Sequence, residues 1–126
     1  TFLIGKTMKF YLYALSVVSV ISLSGCVTTQ NLRSNAALID VTSTKSSRVV
    51  AACITEAWEK SGVFGLPMDV NNTILADGFS VLVKNQQVVQ MLADVRDSGT
   101  GSTTKFYKPG FVAATGKFQD AVRACQ

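Results

Sequence analysis

The segment Ala76-Asp77-Gly78-Phe79-Ser80-Val81-Leu82-Val83-Lys84 decides the fold that this sequence predicts. Asp77-Gly78 favours a type I′ hairpin turn, because both central residues of that turn have positive φ and the pair Asp-Gly is common at these positions. Phe79, Val81 and Val83 alternate with polar positions, which is the period of a half-buried strand. The sequence therefore predicts a β-hairpin, with residues 68–76 as its first strand and 79–84 as its second.

The chain after this hairpin continues as a predicted meander. Asn85-Gln86 is a second turn signal. Residues 88–97 fit two patterns, because their apolar positions match both a strand and a helix. The turn signal Ser98-Gly99-Thr100-Gly101 favours the strand, and residues 102–108 then form a further strand. The sequence thus predicts an antiparallel sheet of three to four strands, with a helix over 88–97 as the open alternative.

Helices flank the predicted sheet on both sides in sequence. Ser46 or Ser47 can cap a first helix that ends at Gly62. A closing helix follows Pro109-Gly110. The apolar positions of the first helix are Val49, Val50, Cys53, Ile54, Ala57 and Trp58, and those of the closing helix are Phe111, Ala114, Thr115, Phe118, Ala121, Val122 and Cys125. We predict an α+β two-layer sandwich in the order helix, antiparallel meander, helix.

The beginning of the chain has a different character. Residues 10–23 carry no charge, follow Lys9, and end in Leu23-Ser24-Gly25-Cys26. This ending resembles the lipobox of bacterial lipoproteins, in which the cysteine is acylated and becomes the new N-terminus. The resemblance implies that residues 1–25 are a lead-in and signal peptide and that Cys26 carries a lipid. An ordinary cleaved signal and an uncleaved membrane anchor remain as alternatives.

The same resemblance implies a location. In such lipoproteins an Asp after the cysteine commonly retains the protein at the inner membrane, and this chain has Val27 there. We therefore expect a lipid anchor at the periplasmic face of the outer membrane. Residues 26–46 are rich in Thr, Ser, Asn and Gln and are expected to form a flexible tether, whose apolar residues 36–39 can dock weakly on the domain. Residues 47–126 are then the folded domain.

The cysteine count agrees with this interpretation. The chain has three cysteines, and lipidation of Cys26 leaves Cys53 and Cys125 as an even pair. An exported domain lies in an oxidising compartment, and both residues lie on the apolar sides of the predicted helices. We expect a disulfide between them, with two buried free thiols as the alternative.

Composition excludes several functions. Removal of Lys6 and Lys9 with the signal leaves ten basic and eight acidic residues, and their scattered positions do not predict nucleic-acid binding. The sequence contains no histidine, which excludes Ser-His and Cys-His nucleophiles. The stretch from Asp69 starts like a calcium loop, but Ile74 and Ser80 occupy the positions that need Gly and Glu. We expect no catalytic residue, cofactor or metal.

Two functions remain. The first is a non-enzymatic envelope lipoprotein whose domain binds another envelope protein or stabilises an assembly. The second is a periplasmic carrier of a small apolar or lipid ligand, which the hydrophobic fraction of 48% favours. Four residues near predicted loop ends are candidates for an interaction surface: Phe64, Leu66, Phe106 and Tyr107.

Overall fold

A computed structural model describes residues 28–62, 68–86, 88–113 and 115–126. The predicted α+β class is confirmed. The helices and strands in chain order are α1 Thr29–Arg33, β1 Ile39–Ser43, α2 Ser47–Lys60, β2 Val70–Leu75, β3 Gly78–Asn85, β4 Val88–Ser98, β5 Gly101–Tyr107 and α3 Gly116–Ala124.

The strands form one sheet in the order β1-β5-β4-β3-β2, and all neighbours are antiparallel. The predicted meander runs from β2 to β5. Residues 88–98 form a strand, so the strand interpretation of this segment is confirmed over the helix. The sheet has a fifth strand, β1, which the prediction lacked.

Residues 28–46 belong to the folded domain, so the prediction of a flexible tether was wrong over this part. The Leu38 amide donates to the Phe106 carbonyl oxygen at 2.8 Å, and Ile39 in β1 is 3% exposed. β1 is a short strand at the edge of the sheet, and its exposed positions, including Asp40 and Thr42, carry polar side chains. These residues make the segment appear polar and obscure the alternation of its apolar residues.

The central hairpin turn lies one residue earlier than predicted. Leu75 pairs with Gly78, so Ala76 and Asp77 form the turn. Gly78 is needed for a different reason, since a Cβ at this position would lie 2.0 Å from the Val95 carbonyl oxygen. The glycine therefore permits close approach of β3 to β4 rather than a type I′ turn.

The helix predictions differ in accuracy. α2 begins after Ser46, whose hydroxyl accepts a hydrogen bond from the Val49 amide at 3.3 Å, and it ends at Lys60, shortly before the predicted stop at Gly62. α3 begins at Gly116, not at Phe111, because the Val112 amide bonds to the Pro109 carbonyl oxygen and closes a separate turn. Phe111 therefore precedes the helix and is 63% exposed.

The main core lies between the sheet and the two longer helices. Trp58 of α2 is completely buried there. Its ring meets Phe106 and Phe118 edge-on, with centroid distances of 6.0 and 6.2 Å. Its Nε1 donates to the Phe118 carbonyl oxygen at 3.1 Å, so the indole has both apolar contacts and a polar partner. We call this side of the sheet the covered face.

A smaller apolar cluster lies on the opposite side of the sheet. α1 places Leu32, which is 2% exposed, onto this cluster. The sheet residues of the cluster are Leu82, Val89, Leu92 and Tyr107. We call this side the open face, because the element that the described residues place on it is a helix of five residues.

Candidate interaction surface

The open face has a transverse row of polar residues next to its apolar cluster. Lys105 of β5 stands opposite Asp40 of β1 and opposite Asp94 of β4, and Asp94 stands opposite Ser80 of β3. Since residues opposite each other in an antiparallel sheet share a face, these four side chains form one line. We call it the charged row.

Asp94 is the centre of this row and is 4% exposed. Arg33 of α1 reaches it with two hydrogen bonds, Nε to Oδ2 at 2.6 Å and Nη2 to Oδ1 at 2.8 Å. Nη2 also donates to the Ser80 hydroxyl at 3.2 Å. The hydrogen bond to Asp94 raises the pKa of Arg33 above its usual value, although partial burial acts in the opposite direction. The buried carboxylate is therefore paired on both oxygens.

α1 is fixed to the sheet by neighbouring residues with different chemistry. The Thr28 hydroxyl accepts the Asn31 amide at 3.2 Å and caps the helix. Leu32 then enters the apolar cluster and Arg33 enters the charged row. A helix of five residues has little stability of its own, so these tertiary contacts must hold it.

An open pocket of about 300 Å³ lies beside the charged row, lined by Arg33, Asp94, Arg96, Thr103, Lys105 and Tyr107. Arg96 is paired with Asp77 at 2.5 Å. Lys105 forms no ion pair with the described residues. Its ammonium and the Thr103 hydroxyl are thus free to donate to a partner. The lining therefore combines polar tips that can bind a polar partner with a larger exposed area of apolar side-chain atoms.

The other polar contacts were checked for catalytic arrangements. Both oxygens of Asp94 accept hydrogen bonds from Arg33, as expected of a structural ion pair. Ser47 bonds Asp97 directly, but a carboxylate alone lacks the activating imidazole of a serine triad. Within the described ranges, no group of three or more His, Cys, Asp and Glu side chains is arranged to hold a metal ion.

The predicted surface residues do not come together. Phe106 is completely buried in the main core, so its prediction as a surface residue was wrong. Tyr107, 8% exposed, lies on the open face and lines the pocket. Phe64, Leu66 and Cys26 lie outside the described residues. Adjacent residues of a strand point to opposite faces, which explains why Phe106 and Tyr107 separate.

The predicted cysteine pair does come together. The Sγ atoms of Cys53 and Cys125 are 2.08 Å apart. The bond joins α2 to the residue that follows α3, and Cys125 is 2% exposed. It therefore connects the two helices of the covered face.

Sequence reasoning missed Arg33, Asp94, Arg96 and Lys105. A partial signal was available on β4, because Leu92, Asp94 and Arg96 alternate with the apolar residues of the covered face. Arg33 offered no such signal, since it is 61 residues from Asp94 in the chain.

Comparison with protein-family models, curated proteins and solved structures found no match to this chain. In the part of the chain that the structure describes, no helix has the length and hydropathy needed to cross a membrane.

Proposed function

We propose that this protein is a non-enzymatic envelope lipoprotein, anchored through a lipid on Cys26 at the periplasmic face of the outer membrane. Its folded domain binds another envelope protein and stabilises an assembly there. The observation that carries the proposal is the pocket on the open face, where charged and polar side chains remain accessible around a partly buried ion pair.

The charged and hydroxyl groups of the lining, set among apolar side-chain atoms, support recognition of a protein surface. Lys105 and Thr103 offer hydrogen-bond donors, and Asp40 beside them offers acceptors. Arg33 is already held by Asp94, so it does not have to be ordered when a partner arrives. Preorganised charged groups contribute specificity because a mismatched partner leaves them unpaired.

The position of α1 supports a short anchor. Its cap, Thr28, is two positions after Cys26. Because each residue spans at most about 3.6 Å, the lipidated cysteine would lie within two residue lengths of the folded domain. A lipid on Cys26 would hold the domain close to the bilayer, where membrane-associated partners are concentrated.

Acylation is tested by Cys26→Ala. The variant should appear in the soluble fraction or as an unprocessed precursor, whereas the wild-type protein should have the intact mass of a diacylated or triacylated chain that begins at Cys26. A wild-type N-terminus at any other residue contradicts the anchor.

Sorting is tested by Val27→Asp in a host that uses this residue for retention. The variant should move toward the inner membrane on a density gradient. Unchanged partition removes the basis for naming the outer membrane.

The interaction surface is tested by Lys105→Glu, which reverses a charge in the pocket. Lys117→Glu is the matched control, since Lys117 is also exposed but lies on α3 behind the covered face. Each lipoprotein is used to capture proteins from detergent-solubilised envelope. A partner that the wild type and the Lys117 variant retain, and the Lys105 variant loses, supports the proposal. No specific partner, or equal loss from both variants, contradicts it.

A further inference from the structure

The outer edge of β2 differs from most exposed sheet edges. β2 pairs with β3 on one side, and no described strand pairs with its other side. Its sequence, Val-Asn-Asn-Thr-Ile-Leu, contains no charge and no proline, and its register with β3 has no bulge. Natural sheets usually protect an exposed edge with a charged residue, a proline or a bulge. Among the residues that the structure describes, none covers this edge with a strand, so β2 presents an open row of backbone donors and acceptors.

The hydrogen-bond pattern identifies which residues of β2 face outward. The Asp97 amide bonds to the Asp77 carbonyl oxygen at 2.7 Å, so the odd-numbered residues at the start of β3 bond to β4. The even-numbered residues, beginning with Gly78, then bond to β2. Their partners in β2 are Leu75, Thr73 and Asn71. Outward-facing amides and carbonyls consequently belong to Val70, Asn72 and Ile74.

These three outward-facing residues have a symmetric pattern of apolar, polar and apolar side chains. In an antiparallel pair of two copies centred on Asn72, each Val70 stands opposite Ile74 of the other copy. This register uses all three outward-facing residues of both strands. It also covers Ile74, which is 79% exposed in the single chain. Apolar cross-strand pairs of this kind stabilise a sheet.

The opposite edge of the sheet lacks this pattern. β1 carries the exposed Asp40 at one end of the charged row. Two copies of β1 would bring identical negative charges to one interface, whereas two copies of β2 bring none.

We propose that two copies of this chain associate through antiparallel pairing of β2 with β2, centred on Asn72, and form a continuous ten-stranded sheet. The partner is a second copy because the edge is self-complementary about this residue. The dimer buries a small area, so it is expected to be reversible. The pairing leaves the pocket on the open face outside the interface and does not depend on the lipid.

The test uses single cysteine substitutions in the full chain, purified from membranes in detergent and oxidised. Asn72→Cys places the new residue opposite itself, with Cα atoms about 5.5 Å apart, within the range for a disulfide. It should give a dimer on a non-reducing gel. Thr73→Cys is the matched control, because its two copies are offset diagonally by about 7 to 8 Å, beyond that range.

The outcomes separate cleanly. Cross-linking at position 72 that exceeds cross-linking at 73 by about tenfold or more supports the register, given the distance limits of a disulfide. Equal cross-linking at both positions, or none at either, overturns it. The unsubstituted chain sets the baseline, and only cross-linking above its level counts for either variant.

A second measurement does not require a new cysteine. Ile74→Lys removes both cross-strand apolar pairs and adds like charges to the interface. Sedimentation should therefore show that the dissociation constant of the dimer rises about tenfold or more. Thr42→Lys adds the same charge to β1 at the other edge and should leave association unchanged. A chain that stays monomeric at millimolar concentration, or an Ile74→Lys variant that still dimerises normally, overturns the proposal.

Discussion

The packing on the two faces of the sheet is stabilised by different kinds of contact. On the covered face, two helices bury Trp58, Phe106 and Phe118 in a continuous apolar core. On the open face, α1 contributes one buried leucine and one arginine, and the arginine is 29% exposed in its ion pair with Asp94. The covered face thus depends on buried apolar area, which is non-directional, and the open face depends on a few contacts with fixed geometry. Mutations on the two faces should differ in size and in kind.

The largest loss of stability is expected from Trp58→Ala on the covered face. Truncation of a fully buried aromatic residue costs about 3 to 5 kcal/mol, and here the hydrogen bond from the indole to the Phe118 carbonyl oxygen is also lost. Urea unfolding of the variant measures the change. Val49→Ala on the same helix is the control, because Val49 is 53% exposed and should change stability by less than about 0.5 kcal/mol. A loss below about 1 kcal/mol for Trp58→Ala would mean that the core rearranges to fill the space.

Reduction of the disulfide is the next largest effect, and it concerns the same face. Opening the Cys53–Cys125 bond releases a loop of 72 residues in the unfolded chain, and native bridges of small secreted domains contribute about 2 to 4 kcal/mol. Thiol counting under denaturing conditions should find neither cysteine free before reduction. The double variant with alanine at both positions should lose similar stability and stay compact. An unchanged melting temperature after reduction would show that apolar packing alone holds the two helices.

Replacing one or the other partner of the ion pair on the open face should reduce the free energy of unfolding by different amounts. Arg33→Met leaves a buried carboxylate without its partner, whereas Asp94→Asn leaves a partly exposed guanidinium that can turn toward water. We expect a loss of about 2 to 3 kcal/mol for Arg33→Met and about 1 to 2 kcal/mol for Asp94→Asn, below the range for fully buried pairs because of solvent screening.

A double-mutant cycle checks this asymmetry. The chain with both substitutions should be more stable than Arg33→Met alone, because the buried charge is gone. Equal single losses that simply add would mean that the two residues are not coupled and that Leu32 alone fixes α1.

The smallest effect is expected at an exposed ion pair on α2. Lys60 donates to Glu56 at 2.8 Å, and this hydrogen bond lowers the pKa of Glu56. A lowered pKa contributes stability above the usual pKa of the carboxyl group, and that contribution is lost as pH falls through the folded value. Lys60→Ala should return the pKa of Glu56 toward its usual value in an NMR titration, with no measurable change in unfolding at neutral pH. A large loss of stability would show that Lys60 packs on the helix.

The sequence predicted the covered face well, because its signals are local. Strand alternation in β3 and helical spacing in α2 can each be read within one segment. The open face could not be derived this way. β1 is too short to show a period, and the partner of Asp94 lies in a segment that reads as a polar linker. The choice of Phe106 with Tyr107 as one surface failed because it ignored the alternation of the strand that contains them.

The closing helix shows a further limit of apolar patterns. Phe111 fits the helical spacing of residues 118–125, yet it lies in a turn before the helix. The hydrogen bond from Val112 to Pro109 sets that boundary, and a backbone bond of this type leaves no mark in the apolar pattern. Helix starts are better judged from caps and turn geometry than from apolar spacing.

The placement of β1 beside β5 has a consequence for the order in which the chain folds. The hairpins from β2 to β5 join neighbouring strands, so their loops close quickly. β1 pairs with β5, which lies far from it in sequence, and Arg33 is separated from Asp94 by 61 residues. Distant pairings of this kind form late. Residues 28–43 should therefore join the sheet last, and in the lipoprotein proposed above this delay would leave their segment accessible to the enzymes that acylate Cys26.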